Sequence, residues 1–262
     1  MIIENRVLTA LRANQTVLGV ALRQARTVDI SRMMKTCGYD FLFIDTEHTP
    51  IPFDTVSQIC QAALGTGVAP IVRVPGLDRT AAVYALDSGA QGLVFPHVEN
   101  ADEARRIVDI CRYPPLGHRS VAYGLPHVEF QSSAPDQLMR DVNRETLIAV
   151  MLETPESIER ADEIAAVPGI DVLHIGTQDL SAELGDAGNV GAPAIEEAFR
   201  KVAQACERHG KILGSGGCYQ PELIRKYAQL GARFFVIGSD MGFLMSAART
   251  QAATVREGLS HA

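Results

Sequence analysis

The 262 residues are enough for one large α/β domain or two small ones with a sizeable buried core. A composition of 47% hydrophobic and 21% charged residues excludes extensive disorder. The formal net charge of −7, with no basic stripe, argues against nucleic acid or an anionic membrane as partner, because phosphate contacts need clustered Lys and Arg.

In chain order, Val17–Leu22 is predicted as a short buried strand, followed by a helix over Thr27–Cys37 that Gly38 ends. The second strand, Phe41–Glu47, carries four apolar residues without a polar interruption and then runs into two carboxylates and His48. Asp54 is placed to cap a helix to about Leu64, and the third strand, Pro70–Pro75, carries Arg73 near its end. A helix over Asp78–Asp87 leads to a fourth strand, Gly92–Val98, and a helix from Asn100 or Ala101 runs to about Cys111. The stretch 112–146 shows little periodicity and is far longer than the usual ~4–6 residue connection, which marks it as a functional loop. Leu147–Glu153 is the fifth strand, and Thr154-Pro155-Glu156 opens a helix. Val172–Gly176 is the sixth strand and runs into Thr177-Gln178-Asp179. Beyond a helix over Pro193–Arg208 come a seventh strand, Lys211–Gly216, a helix over Pro221–Gln229, an eighth strand, Phe234–Gly238, and a last amphipathic helix from Met241 to about Arg256.

Eight strand–helix pairs within a length close to the ~250 residues of a typical (β/α)8 barrel predict that fold, with residues 1–262 as a single TIM-barrel domain. A doubly wound open sheet is the alternative, but no G-x-G-x-x-G follows the first strand. In a parallel barrel the carboxyl ends of the strands share one mouth, which brings Asp45, Glu47, His48, Arg73, Glu153 and Asp179 together. Several carboxylates with few cations invite a divalent metal, and an oxygen-rich set suits Mg2+ or Mn2+ better than zinc. The competing Schiff-base route needs an inward-facing lysine on a strand. Of Lys35, Lys201, Lys211 and Lys226, three fall on predicted helices and Lys211 begins the seventh strand at the far end, so no Schiff-base lysine is expected. No nucleotide cofactor is indicated either.

The five cysteines, Cys37, Cys60, Cys111, Cys206 and Cys218, show no C-x-x-C spacing and are read as free thiols in a reducing cytoplasm. Met1–Arg12 lacks the apolar core of a signal peptide, and no stretch approaches the ~20 apolar residues of a membrane span. A cytoplasmic location with no membrane partner is therefore expected.

The segments Gly38–His48, Val72–Pro75, Leu86–Gly92, Tyr113–Arg119, Leu152–Thr154 and Ile175–Ser181 resemble, in order, the metal-dependent pyruvate aldolases of the HpcH/HpaI type, the group that includes 4-hydroxy-2-oxoheptanedioate aldolase. The likeness spans about Gly19 to Asp240. It implies a class II aldolase, a carbon–carbon lyase that cleaves or forms 4-hydroxy-2-oxo acids through a metal-bound pyruvate-type enolate. Its substrates would be a small 2-oxo acid and an aldehyde, and its ion Mg2+ or Mn2+, with Co2+ as a third candidate. By the same resemblance Glu153 and Asp179 match the metal ligands, Arg73 the arginine beside the keto oxygen, and His48 the acid/base histidine. Asp87 matches the carboxylate that supports that histidine, while Asp45 and Glu47 match groups that hold metal-bound water. Arg73, Gln178 and Asp179 are the candidate substrate contacts.

The chain departs from the family where Met151 replaces a common glutamine and Gln178 a common small residue, and it has no Trp. These changes leave the metal residues in place but alter the wall around the substrate. Two rivals remain: a citrate synthase-like condensation of oxaloacetate with acetyl-CoA, as in siderophore biosynthesis, and a non-catalytic barrel used for binding.

Among the other histidines, His97 is read as a structural hydrogen-bonding residue and His174 as a packed one. His118 and His127 lie in the long loop, where substrate, a neighbouring subunit or solvent could face them. Gly214–Gly217 is either a phosphate cradle or a turn that leaves room for substrate. The last helix reads as core packing, and the resemblance adds the possibility of its exchange between the subunits of a homohexamer or trimer of dimers.

Overall fold

A computed structural model describes residues 2–260. Its strands are β1 (Val17–Leu22), β2 (Phe41–Asp45), β3 (Ala69–Arg73), β4 (Gly92–Phe95), β5 (Leu147–Leu152), β6 (Val172–Gly176), β7 (Ile212–Gly216) and β8 (Ala232–Ser239). Each pairs in parallel with the next, and β8 returns to β1, closing the barrel expected from the sequence.

The alternation of side chains along each strand divides the apolar residues into two shells. Leu42, Ile44, Val72, Leu93, Ile148 and Ile175 face outward into the layer beneath the helices. Phe41, Phe43, Ile71, Val94, Ala149 and Phe234 point inward and fill the barrel, where Phe41 and Phe234 stack with ring centroids 4.4 Å apart. Gly19 is required by that filling, because a Cβ there would lie 2.1 Å from the Phe41 ring.

The floor of the barrel is closed by a helix absent from the sequence reading, Arg6–Arg12, whose Val7, Leu8 and Leu11 join the inner shell. Asn5 caps it by accepting hydrogen bonds from the N–H groups of Val7 and Leu8. The long segment after Cys111 is also more ordered than expected. It contains the helix Pro135–Glu145 and a small core of its own made by Tyr113, Leu125, Val128, Leu138 and Val142.

The terminal helix, Asp240–Ser260, is longer than predicted, and none of its residues is buried. Its apolar positions, among them Phe243, Leu244 and Met245, therefore do not pack into this subunit's core as the spacing suggested. Among the described residues, no helix is long and apolar enough to cross a membrane.

Candidate active site

Asp45 is the last residue of β2 and is aligned with Arg73, the last residue of β3. Adjacent strand ends therefore bring a carboxylate and a guanidinium together without help from any loop. Arg73 donates from Nε to Asp45 Oδ1 at 3.1 Å and from Nη2 to Oδ2 at 2.8 Å, a two-pronged pair that only arginine can make. Burial opposes the charge on Asp45, but the hydrogen bonds and charge of Arg73 outweigh it and hold the carboxyl below its usual range. Oδ1 also accepts the backbone N–H groups of Glu47 and His48, which fixes the turn after the strand. Arg73 Nη1 forms an ion pair with Glu47 Oε2 at 2.9 Å. The His48 ring, about half exposed, has Nε2 3.8 Å from the same Glu47 oxygen.

Across the mouth, Glu153 follows β5 and is 1% exposed. Its Oε2 accepts the backbone N–H of His97 at 3.0 Å and lies 3.2 Å from His97 Nδ1. Its Oε1 is buried with no hydrogen-bond partner, which is costly for a carboxylate. Gly176 makes room for it, since a Cβ there would lie 2.3 Å from Oε1. Burial pushes Glu153 up to about 7; His97 opposes the shift and the nearby charge of Asp179 adds to it. Asp179 is exposed in the first turn of the helix Thr177–Glu183, which starts directly where β6 ends.

His97 makes contacts of the structural kind expected of it, and makes them to two strands at once. With φ at 54° just past β4, it spans the mouth, its Nε2 3.2 Å from Glu47 Oε1 and its Nδ1 on Glu153. The ring thereby joins the acids of β2 and β5 and engages one oxygen of Glu153, while the other has no hydrogen-bond partner. His174, buried on β6, is pulled down to about 3 by burial and by the charge of Arg73, so it is a neutral imidazole in the cavity wall. Gly214 and Gly216 have a packing reason to be glycine, because a Cβ would come within 2.6 Å and 2.5 Å of the two His174 ring nitrogens.

His48, Arg73, Glu153, Gln178 and Asp179 line one cavity of about 300 Å3, with Ala21, Phe43, Met151 and Val236 as apolar wall. Gln178 turns its Nε2 to the Gly217 carbonyl at 2.7 Å. The Met151 sulfur lies 3.9 Å from Arg73 Nη1, where a glutamine would present an amide. Asp87 does not join the others within the subunit. It ends the helix Arg79–Asp87 in the outer layer, where Arg119 Nη2 donates to it at 2.7 Å, and it lines a separate cavity beside Phe53 and Tyr84. The loop histidines stand apart as well: His127 is buried against the Ala90 carbonyl, and His118 pairs with Asp109 on the surface.

The model of one protein family, described as HpcH/HpaI aldolase/citrate lyase, matches residues 15–247. The chain belongs to the HpcH/HpaI aldolase/citrate lyase family. It is 35% identical over 258 residues to the 4-hydroxy-4-methyl-2-oxoglutarate aldolase tasA of Hapsidospora irregularis, covering 96% of this chain and 95% of that protein. It is also 35% identical to the 4-hydroxy-2-oxo-heptane-1,7-dioate aldolase of Shigella sonnei, over 95% of this chain and 94% of that protein. The crystal structure of an HpcH/HpaI aldolase from Desulfitobacterium hafniense superimposes with a TM-score of 0.91 at 29% identity, covering 95% of this chain and 96% of the other. This family member is accordingly an enzyme of the lyase class.

Among the described residues, no group of three or more His, Cys, Asp or Glu side chains is arranged as a closed metal cage. The donor set of this HpcH/HpaI protein nevertheless fits a hard divalent cation, which is commonly held by one or two carboxylates while water and substrate complete its shell. The orphaned Oε1 of Glu153, raised in pKa and facing a cavity shared with Asp179, is what such an ion would satisfy.

Proposed function

We propose that the chain is a divalent-metal-dependent aldolase acting on 4-hydroxy-2-oxo acids, with Glu153 and Asp179 as the protein's ligands to Mg2+, Mn2+ or Co2+. The observation that carries this reading is the buried, unpartnered Glu153 Oε1 beside Arg73 and His48 in a cavity sized for a small oxo acid. The ion, when bound, supplies Lewis-acid stabilisation of the negative charge that develops on the keto oxygen.

The chain's own residues account for the rest. Arg73, held rigid by Asp45, directs its guanidinium at that developing charge and needs no reorganisation to do so. His48 is the acid/base group, since its ring is half exposed at the cavity and able to exchange protons with substrate. In the cleavage direction the 4-hydroxyl gives its proton to His48, and the C3–C4 bond breaks with its electron pair remaining on C3. That carbon then takes a proton to give the oxo acid, and the other fragment leaves as the carbonyl compound. Gln178 and Asp179 border the substrate. An imine route lacks a lysine in position, because Lys211 donates to the Val167 and Ile170 carbonyls at the barrel floor and the other three lie on outer helices.

The terminal helix offers Met241, Phe243, Leu244 and Met245 to solvent, which favours a homo-oligomer, hexameric by the family resemblance. Asp87 would then support His48 only by reaching a neighbouring copy's site from the outer layer. The free thiols Cys37, Cys60, Cys111, Cys206 and Cys218 suit a reducing, cytoplasmic setting.

Metal-loaded protein is expected to exchange the C3 protons of pyruvate for deuterium without any acceptor, to lose this activity in EDTA, and to regain it with Mn2+ or Mg2+. No exchange at any metal concentration would refute the reading. Borohydride trapping of pyruvate on a lysine would replace it with imine chemistry. Release of CoA thiol from oxaloacetate and acetyl-CoA would instead favour the condensation that Met151 leaves open.

Metal binding should depend on pH with a definite sign. The Glu153 pKa is raised from 4.5 to about 7, so the apo protein keeps the associated stabilisation below the lower value and loses it as pH rises to the upper one. An ion must displace that proton. Its affinity, read by calorimetric Mn2+ titration, is expected to fall by up to ~10-fold per pH unit below about 7 and to level off above it.

A further inference from the structure

The floor of the cavity is apolar except at one position. Ala21, Phe43, Met151 and Val236 offer no side-chain donor, and His174 on β6 stands among them, 1% exposed. Burying an imidazole in such surroundings is unfavourable unless its nitrogens are answered, yet Nδ1 has no hydrogen-bond partner. An apolar ring would fill the same space without that cost, so packing alone gives no reason for a histidine here.

The ring is held in one orientation. Phe43 stacks on it with centroids 6.5 Å apart, Phe234 meets it edge-on at 5.7 Å, and β7 runs alongside with glycines at the two points of closest approach. Gly214 is the β7 residue in register with His174, and a Cβ there would lie 2.6 Å from Nδ1. Gly216, two residues nearer the mouth, would place one 2.5 Å from Nε2. Nδ1 therefore points down into the barrel, and Nε2 points up beside a glycine that lines the cavity. A bare ring nitrogen is left unpaired at less cost than a buried N–H, which puts the single proton of the neutral ring on Nε2. Burial and the charge of Arg73 pull the ring down to about 3, so it carries no charge near neutrality. His174 thus presents a fixed, neutral N–H donor to the cavity.

Its place on β6 specifies what that donor meets. Residues 174 and 176 share the inward face of the strand, and a Cβ at Gly176 would lie 2.3 Å from Glu153 Oε1. The unpartnered Glu153 oxygen accordingly stands one inward position above His174, roughly 7 Å along the strand. The carboxyl end of an oxo acid held beside Glu153 comes down on Nε2, while its keto oxygen faces Arg73. Met151, aligned with His174 across the β5–β6 pair, supplies no donor at that level.

We propose that His174 Nε2 donates a hydrogen bond to the carboxylate of the bound oxo acid and so replaces, from the next strand, the amide that Met151 removes. Resting on the aldolase reading, this makes His174 a substrate-positioning donor and leaves acid/base work to His48.

The first measurement needs no metal. Nitrogen-15 spectra of the histidine rings, with His174 assigned through its contacts to the Phe43 and Phe234 rings, should show an Nε2–H tautomer that does not titrate between about pH 5 and pH 8. Adding pyruvate with diamagnetic Mg2+ should shift that N–H signal. His174→Phe is expected to raise KM for pyruvate in C3 deuterium exchange by about 10- to 100-fold, with kcat changed far less. It should melt no lower than the wild type, because it removes an unpartnered buried nitrogen. Met151→Gln in that background should recover part of the loss, whereas Met151→Gln alone should change KM by less than about threefold. A titrating ring, an Nδ1–H tautomer, an unchanged KM in His174→Phe, or an equal effect of Met151→Gln in both backgrounds overturns the His174 proposal while the aldolase reading stands. A wild type that fails to exchange deuterium into pyruvate overturns both.

Discussion

Glu153→Gln is expected to lower kcat/KM by about 10^3-fold and to abolish tight Mn2+ binding while leaving the barrel folded. Lewis-acid stabilisation is worth several kcal/mol, and each ~1.4 kcal/mol corresponds to a factor of ten in rate. The replacement is nearly isosteric, and its amide oxygen can still accept the His97 N–H that Glu153 now accepts at 3.0 Å. Loss of activity through unfolding is therefore not expected. The apo variant should in fact melt higher than the wild type at pH 8, because it no longer buries a carboxylate whose pKa is pushed up to about 7. That gain should fade toward pH 4.5, where the wild-type side chain is protonated too. Calorimetric metal titration and thermal melts at the two pH values check both parts.

Arg73→Met is expected to act on catalysis and stability together. Loss of a preorganised donor at a developing oxyanion typically costs about 10^2- to 10^3-fold in kcat. Removing the guanidinium also strands Asp45, whose side chain is 2% exposed, and breaking a buried pair in this way costs about 3–5 kcal/mol. In the wild type the Asp45 contribution is present above the ordinary carboxyl value of 3.8 and is lost as acid takes the group through its lowered pKa. The variant should accordingly show a flatter loss of stability on acidification. Arg73→Lys would keep the charge but not the two parallel bonds, and should recover only part of either effect. Denaturant unfolding with steady-state kinetics separates the two losses.

The parts of this site that were legible in the sequence are those set by strand ends. Phe41–Ile44 is apolar without interruption because the strand is buried on both faces, and the polar residues that follow must then sit at the mouth. The same logic gave Arg73, Glu153 and Asp179 their places. Asp87 was not placeable for the complementary reason: it ends a helix, and helices in this fold form the outer ring, so its position in the chain does not say which cavity the side chain faces.

The contacts of His97 and Arg23 are not legible in the sequence because they depend on neighbours distant in the chain. Neither a histidine after Phe95-Pro96 nor an arginine after Leu22 carries a periodic signal, and only the closed ring brings them to Glu47, Glu153 and Asp45. A charged residue one or two positions past a strand end was the available clue. The helix Arg6–Arg12 escaped notice because two turns carry little periodicity, although Asn5 before Val7, Leu8 and Leu11 is a capping signal. The terminal helix shows the opposite error. Its helical spacing was read correctly, but spacing alone cannot distinguish an apolar stripe that packs inside the subunit from one that faces outward.

The most direct measurement is anomalous diffraction from crystals of the protein grown with Mn2+. The account predicts a single strong anomalous peak within coordination distance of Glu153 Oε1 and an Asp179 carboxylate oxygen, facing Arg73 across the cavity. A peak elsewhere in the mouth, or a saturated crystal in which Glu153 and Asp179 share no ion, would contradict it.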